Sequence, residues 1–232
     1  MSAASLPAIS AVEDPDELEF LTTVWHEAGH GLINRIHGIE VHSLQALRPS
    51  EYRQGRRAFT REGRPVADAW GYCEDEDPPW TQIRDGCVPD ANDSQWVLGH
   101  IAANVAGPVV EHLWRHDRQP HHRAFWKAHP LRGITTARCQ DDDLLNACQN
   151  AALLYLERTA QNWVVRQQVQ SVRRFCQSDT VWTSLTRIAE ALAVSGYLAG
   201  PALDALIDLT PGNPLPLTIP LTPGEANHDQ PS

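Results

Sequence analysis

Residues 15–38 read PDELEFLTTVWHEAGHGLINRIHG, and the reading of this stretch decides the fold. Leu21, Val24, Trp25, Ala28, Leu32 and Ile36 recur at helical spacing and form an apolar stripe. The pattern predicts a largely buried helix, capped by Asp16 and ended at His37-Gly38, since glycine commonly follows the last helical residue. Inside it lies the pentapeptide His26-Glu27-Ala28-Gly29-His30. Positions i and i+4 share one helix face, so His26 and His30 can grip a single metal ion. Glu27 falls beside them, placed to take a proton from water at an open coordination position. Two imidazoles and a carboxylate on a buried helix would be costly to desolvate without a cation. The pentapeptide therefore reads as the HExxH signature of a zinc peptidase rather than two unrelated surface histidines.

The rest of the composition bounds that reading. At 232 residues and 42% hydrophobic content the chain can bury one real core. The expected organisation is a flexible arm over 1–16, one zinc peptidase domain over 17–209 and a Pro-rich disordered tail over 210–232. No run approaches the roughly 20 apolar residues that span a bilayer, and the start, MSAASLPAISAVEDPDELEF, lacks the basic and apolar regions of a signal peptide. These features predict a cytoplasmic protein without a membrane partner. A net charge of −10 argues against nucleic acid as a partner. The five cysteines contain no CxxC pair and suit reduced thiols.

Beyond the motif helix, residues 39–44 alternate like a strand with one buried face. Residues 48–64 are basic and turn-rich and read as a loop. Val66 to Cys73, ending in Trp70-Gly71-Tyr72, is a second strand candidate, and Glu74 to Asp93 is irregular. Helical periodicity returns from Ser94, with Gly107-Pro108 predicting a kink or two abutting helices. Residues 115–132 are rich in histidine and aperiodic. Asp141 opens a long helical stretch to about Cys176, and Val181–Leu192 and Gly200–Leu209 are further helices. The expected class is mainly α with a small β-sheet. His100, His112 and His116 share one helix and read as polar-face residues, and His121, His122 and His129 as solvated.

A catalytic zinc site takes a third protein ligand. His37 lies one residue too far along for the HExxHxxGxxH pattern, and no second glutamate-bearing helix motif is present. The residues alone leave Asp141, Asp142, Asp143 and Glu111 as candidates, each aspartate also suiting a helix cap.

The chain resembles the peptidase domain of FtsH-type zinc proteases. The likeness starts at His26-Glu27-Ala28-Gly29-His30 and continues with Val41-His42-Ser43-Leu44. Trp70-Gly71-Tyr72 looks like that family's Leu-Gly-Tyr edge strand, and Ala106-Gly107-Pro108-Val109-Val110-Glu111 is similar to its Ala-Gly-Arg-x-Ala-Glu helix. Asp142-Asp143-Leu144-Leu145-Asn146-Ala147 looks like the aspartate-bearing segment that supplies the third ligand, and Leu192 to Ile207 like its closing helices. Two departures stand out: these residues are expected to carry neither the family's ATPase module nor its membrane segment, and Pro108 replaces the usual arginine.

The resemblance implies a zincin-like helical fold with Zn2+ held by His26, His30 and Asp143, and Glu111 orienting a ligand histidine. Glu27 would be the general base, and an extended polypeptide substrate would pair with the strand at Gly71 and Tyr72. Cleavage would be independent of ATP and confined to flexible or unfolded chains. The alternatives are a catalytically silent or regulatory zinc module of the same fold, and a peptidase subunit that docks on a separate ATPase. Oligomeric state is left open.

Overall fold

The computed structural model describes residues 6–7, 9–67, 69–77, 91–118, 125–127 and 142–208. After a short 3-10 turn at Ile9–Ala11, the motif helix α1 spans Pro15–Ile36. Asp14, not Asp16, caps it: its side chain accepts the Asp16 backbone N–H at 3.0 Å, and Pro15 takes the first helical position, where no N–H is needed. The C-terminal end falls at His37-Gly38 as expected, with Gly38 at φ +75°.

Strand β1 (Val41–Ala46) follows, then a short helix α2 (Pro49–Arg53) inside the segment expected to be only loop. Glu51 supplies the reason: its carboxylate accepts the Arg48 backbone N–H at 3.0 Å, and Pro49 takes the first helical position. Strand β2 (Gly71–Asp75) begins later than the sequence pattern suggested. The long helix α3 (Ala91–Arg115) runs through Pro108 as one element. Helices α4 (Asp142–Leu154) and α5 (Arg158–Cys176) replace the single long helix expected from Asp141 to Cys176. The break at 155–157 carries no glycine or proline, so periodicity alone could not reveal it. Helix α6 (Asp179–Ser195), the three-residue strand β3 (Tyr197–Ala199) and the short helix α7 (Gly200–Asp204) complete the described chain.

The three strands form an antiparallel sheet in the order β2-β1-β3, with Ala46 opposite Gly71, Leu44 opposite Cys73 and Ser43 opposite Ala199. The sheet packs on α1, which packs in turn on α3 and α6, while α3 also carries α4 and α5. Val24, Ala28, Leu32 and Ile33 from α1 are fully buried with Ile101, Val105 and Leu113 from α3. Trp25 stacks between Trp114 and Trp182, at ring separations of 6.2 and 5.0 Å, and so ties α1, α3 and α6 together. The class is mainly α with a small sheet. Among the described residues no helix is long and apolar enough to cross a membrane, and Cys73 and Cys176 are free thiols. Most of the 1–16 arm lies inside the described residues and ends in α1. The 210–232 tail, residues 78–90, most of the histidine-rich 115–132 segment with His121, His122 and His129, and Asp141 lie outside them.

Candidate metal centre

Helix geometry brings His26 and His30 to one face of α1, and packing of α1 against α3 and α4 supplies what surrounds them. Asp143, at the start of α4, reaches across more than a hundred residues of sequence. Its Oδ2 lies 2.8 Å from His26 Nε2 and 3.3 Å from His30 Nε2, and the two Nε2 atoms are 3.0 Å apart. These three residues form the one group of this kind found among the described residues that could hold a metal ion. With bonds of about 2.0–2.1 Å, the donors of a tetrahedral zinc shell are about 3.3 Å apart, so the three atoms need only spread by a few tenths of an ångström.

The far nitrogens fix both rings. His30 Nδ1 donates to the Ala103 carbonyl of α3 at 2.8 Å. His26 Nδ1 lies 3.2 Å from Glu111 Oε2, and Arg115 holds the other Glu111 oxygen at 3.0 Å. A carbonyl and a carboxylate can only accept, so each ring carries its proton on Nδ1 and turns a lone pair on Nε2 toward the shared point when a cation is present. The donor set therefore suits zinc, which takes imidazole nitrogen and carboxylate oxygen.

Two glycines keep the space open. A Cβ on Gly107 would stand 2.4 Å from His30 Nε2 and 2.5 Å from His26 Nε2. A Cβ on Gly71 would stand 2.3 Å from Glu27 Oε1 and 2.6 Å from Thr23 Cγ2. Strand β2 thus lies directly over the general-base candidate, and strand alternation turns Tyr72 to the opposite face. β2 is also an edge of the sheet.

Burial shapes the electrostatics. It lifts the Glu27 carboxyl to about 7, with the His30 and His26 imidazoles pulling the other way. Glu27 Oε2 is buried and has no hydrogen-bond partner among the described residues. Burial also opposes charge on Asp143, but the two imidazoles outweigh it and hold that carboxyl well below the usual range. Burial likewise opposes charge on His26, yet its contacts with Asp143 and Glu111 raise it well above an ordinary histidine.

The structure thus brings His26, Glu27, His30, Asp143, Glu111 and Gly71 together, and leaves Tyr72 on the opposite face of β2. His100 and His112 are buried rather than on a polar face, because α3 is covered by α1 on one side and by α4 and α5 on the other. Three contributors escaped the sequence reading. The sequence pattern marks Gly107 only as a source of a kink and as part of the Ala-Gly-Arg-like segment, not as a wall of the site, and the Ala103 carbonyl has no motif of its own. Asn34 does carry a signal, standing four residues beyond His30 on the same helix face. It is 1% exposed, and its amide donates to Asp75 Oδ2 at 2.8 Å and to Cys73 Sγ at 3.6 Å, pinning β2 to α1. Burial raises the Asp75 carboxyl to about 6, against the pull of His30 and the Asn34 hydrogen bond. No protein-family model matches the chain, and comparison with curated proteins finds no match.

Proposed function

We propose that the chain is a zinc metallopeptidase, similar in its site to the FtsH-type peptidase domain, that hydrolyses flexible or unfolded polypeptides without ATP. The observation that carries this reading is the pairing of a three-donor group with an orphaned, buried carboxylate. His26, His30 and Asp143 would hold the ion, and Glu27 Oε2 has no other partner among the described residues to satisfy it. A site that only stabilised the fold would have no use for a base there, which favours turnover over a silent zinc module.

When bound, zinc would supply Lewis-acid chemistry, polarising a carbonyl and acidifying water. The protein's own residues do the rest. Glu27, lifted to about 7 by burial, is poised to accept the proton of the attacking water and return it to the leaving amine. Glu111 and the Ala103 carbonyl keep His26 and His30 in one tautomer and orientation. The edge of β2 that pairs with no other strand among the described residues would offer main-chain donors and acceptors to an extended substrate beside Glu27, giving affinity without strict sequence choice.

The test is cleavage of unfolded casein by the purified chain, with and without chelator, alongside elemental analysis. The expected result is about one zinc per chain, with chelator-sensitive cleavage lost in Glu27→Gln while zinc is retained. Equal cleavage by wild type and Glu27→Gln would defeat the reading.

A further inference from the structure

Helix α5 departs from the charge pattern of the rest of the molecule. It buries Val164, Val165, Gln168, Val169 and Val172 and turns Arg158, Arg166 and Arg174 to solvent, with Arg173 half-buried beside them. Between Glu157 and Asp179 there is no carboxylate, in a chain whose net charge is −10. A solvated helix ordinarily interleaves both signs at i and i+4 spacing. Here Arg173 and Arg174 adjoin, and burial together with Arg174 lowers the Arg173 guanidinium from its ordinary value. Among the described residues none of the four arginines makes an ion pair, and Arg173 Nε has no hydrogen-bond partner.

The guanidinium of Arg166 lies over the Trp126 ring at 4.7 Å from its centre. Stacking of this kind holds the flat face and leaves the in-plane N–H fork free, the geometry that takes a carboxylate through two hydrogen bonds. Lys127 is exposed next to that tryptophan. Asn162, Gln167 and Gln170 lie among the arginines, and their amides can both donate to and accept from a peptide backbone.

We propose that this face of α5 is a docking surface for an acidic segment of another polypeptide chain. Charge complementarity selects an anion, and the chain's own charge selects among anions. A long polyanion such as duplex DNA would meet the repulsion of the whole acidic molecule, whereas a short acidic segment meets only the local arginines. The exposed residues of α5 itself are arginine and threonine, and the single exposed apolar side chain beside it, Leu156, is too little to anchor the face in a bilayer. At about 1.5 Å per residue, the 19 residues of α5 match an extended segment of roughly eight residues.

The experiment titrates fluorescein-labelled octaglutamate with the full chain and follows fluorescence anisotropy at low and physiological salt. Saturable binding is expected. It should weaken with salt and fall tenfold or more in the Arg158→Gln, Arg166→Gln, Arg173→Gln, Arg174→Gln variant, whose circular dichroism and melting curve should match wild type. A second variant with lysine at the same four positions should recover only part of the affinity, because it restores charge but not the fork. Binding unchanged by the glutamine variant overturns the proposal. So does tighter binding through the same arginines to duplex DNA or to phosphatidylserine vesicles. The inference stands apart from the peptidase reading, since Glu27→Gln should bind octaglutamate as wild type does.

Discussion

Replacing Gly107 by alanine would put a methyl group where the two ligand imidazoles converge. The new carbon would lie 2.4 Å from His30 Nε2 and 2.5 Å from His26 Nε2, about 1 Å inside ordinary van der Waals contact. Neither ring can simply recede, because the Ala103 carbonyl holds His30 and Glu111 holds His26 from behind. A metal site tolerates ligand displacements of only about 0.2 Å, so zinc affinity should fall at least a hundredfold, or about 2.7 kcal/mol. The metal-free protein should respond differently. Alanine gains about 1 kcal/mol over glycine inside a helix, against an overpacking cost of about 1–3 kcal/mol. Its metal-free stability should therefore shift by no more than about 2 kcal/mol. The assay pairs a zinc titration against a chromogenic chelator with melting curves in the presence and absence of metal. At a free zinc concentration a hundred times its Kd, the wild type gains about 2.7 kcal/mol from binding, and Gly107→Ala should gain far less at the same concentration. A Gly107→Ala protein that binds zinc within about threefold of wild type, a difference of less than 1 kcal/mol, would refute the steric argument.

Three further outcomes are expected. His26→Ala, His30→Ala and Asp143→Ala should each lose zinc, whereas Asp142→Ala should cost no more than a helix cap, about 1 kcal/mol; zinc titration of the four variants decides, and loss confined to Asp142→Ala would show the register to be off by one. Gly71→Ala should keep zinc but depress turnover, because its methyl group would meet Glu27 Oε1 at 2.3 Å; wild-type kcat with the substitution in place would contradict the close approach. Burial depresses His100 and His37 to about 4 from an ordinary value of 6.5, the former also through His37. The native state thus binds fewer protons than the unfolded state, so this stability is complete above about pH 6.5 and is lost as pH falls toward 4. His100→Leu should remove about 1–2 kcal/mol of that loss at pH 5, and an unchanged slope of stability against pH between 4 and 6.5 would count against it.

What the sequence disclosed, and what it hid, follows from the range of the forces involved. The motif helix was legible because its apolar stripe, its ligands and its glycine terminator all lie within one local segment. The same locality explains the misplaced cap. Asp14 and Asp16 flank the same proline, and only the backbone conformation at Asp14 (ψ 121°) decides which one leads the helix. The break between α4 and α5 has no sequence marker. Both halves pack on α3, and that tertiary burial sets where the chain turns back. Strand β3 was invisible for a related reason, being three residues long and defined by its pairing with β1. Gly107 was noticed beside Pro108 as a source of helix distortion. Its place against two imidazoles depends on the approach of α3 to α1, which no local pattern encodes.

Asp143 shows how the two scales meet. Successive residues on a helix are turned by about 100°, so a slip of one position along Asp141-Asp142-Asp143 would swing the carboxylate off the site. The run itself is uninformative, since three identical side chains carry no register. What fixes the register lies further along α4, where Leu144, Ala147 and Ala151 are 2%, 0% and 0% exposed and pack into the shared core. These three positions lie along one side of the helix and hold it against α3. With that face committed, the residue just before Leu144 is left at the edge of the buried stripe, turned toward α1. There its carboxylate meets His26 at 2.8 Å and His30 at 3.3 Å. The apolar residues of α4 thus choose the ligand. A substitution such as Ala147→Leu, which must push α4 away from α3 to fit, should weaken zinc binding without touching any donor atom; a zinc titration giving wild-type affinity for Ala147→Leu would show that the carboxylate is placed by something other than this packing.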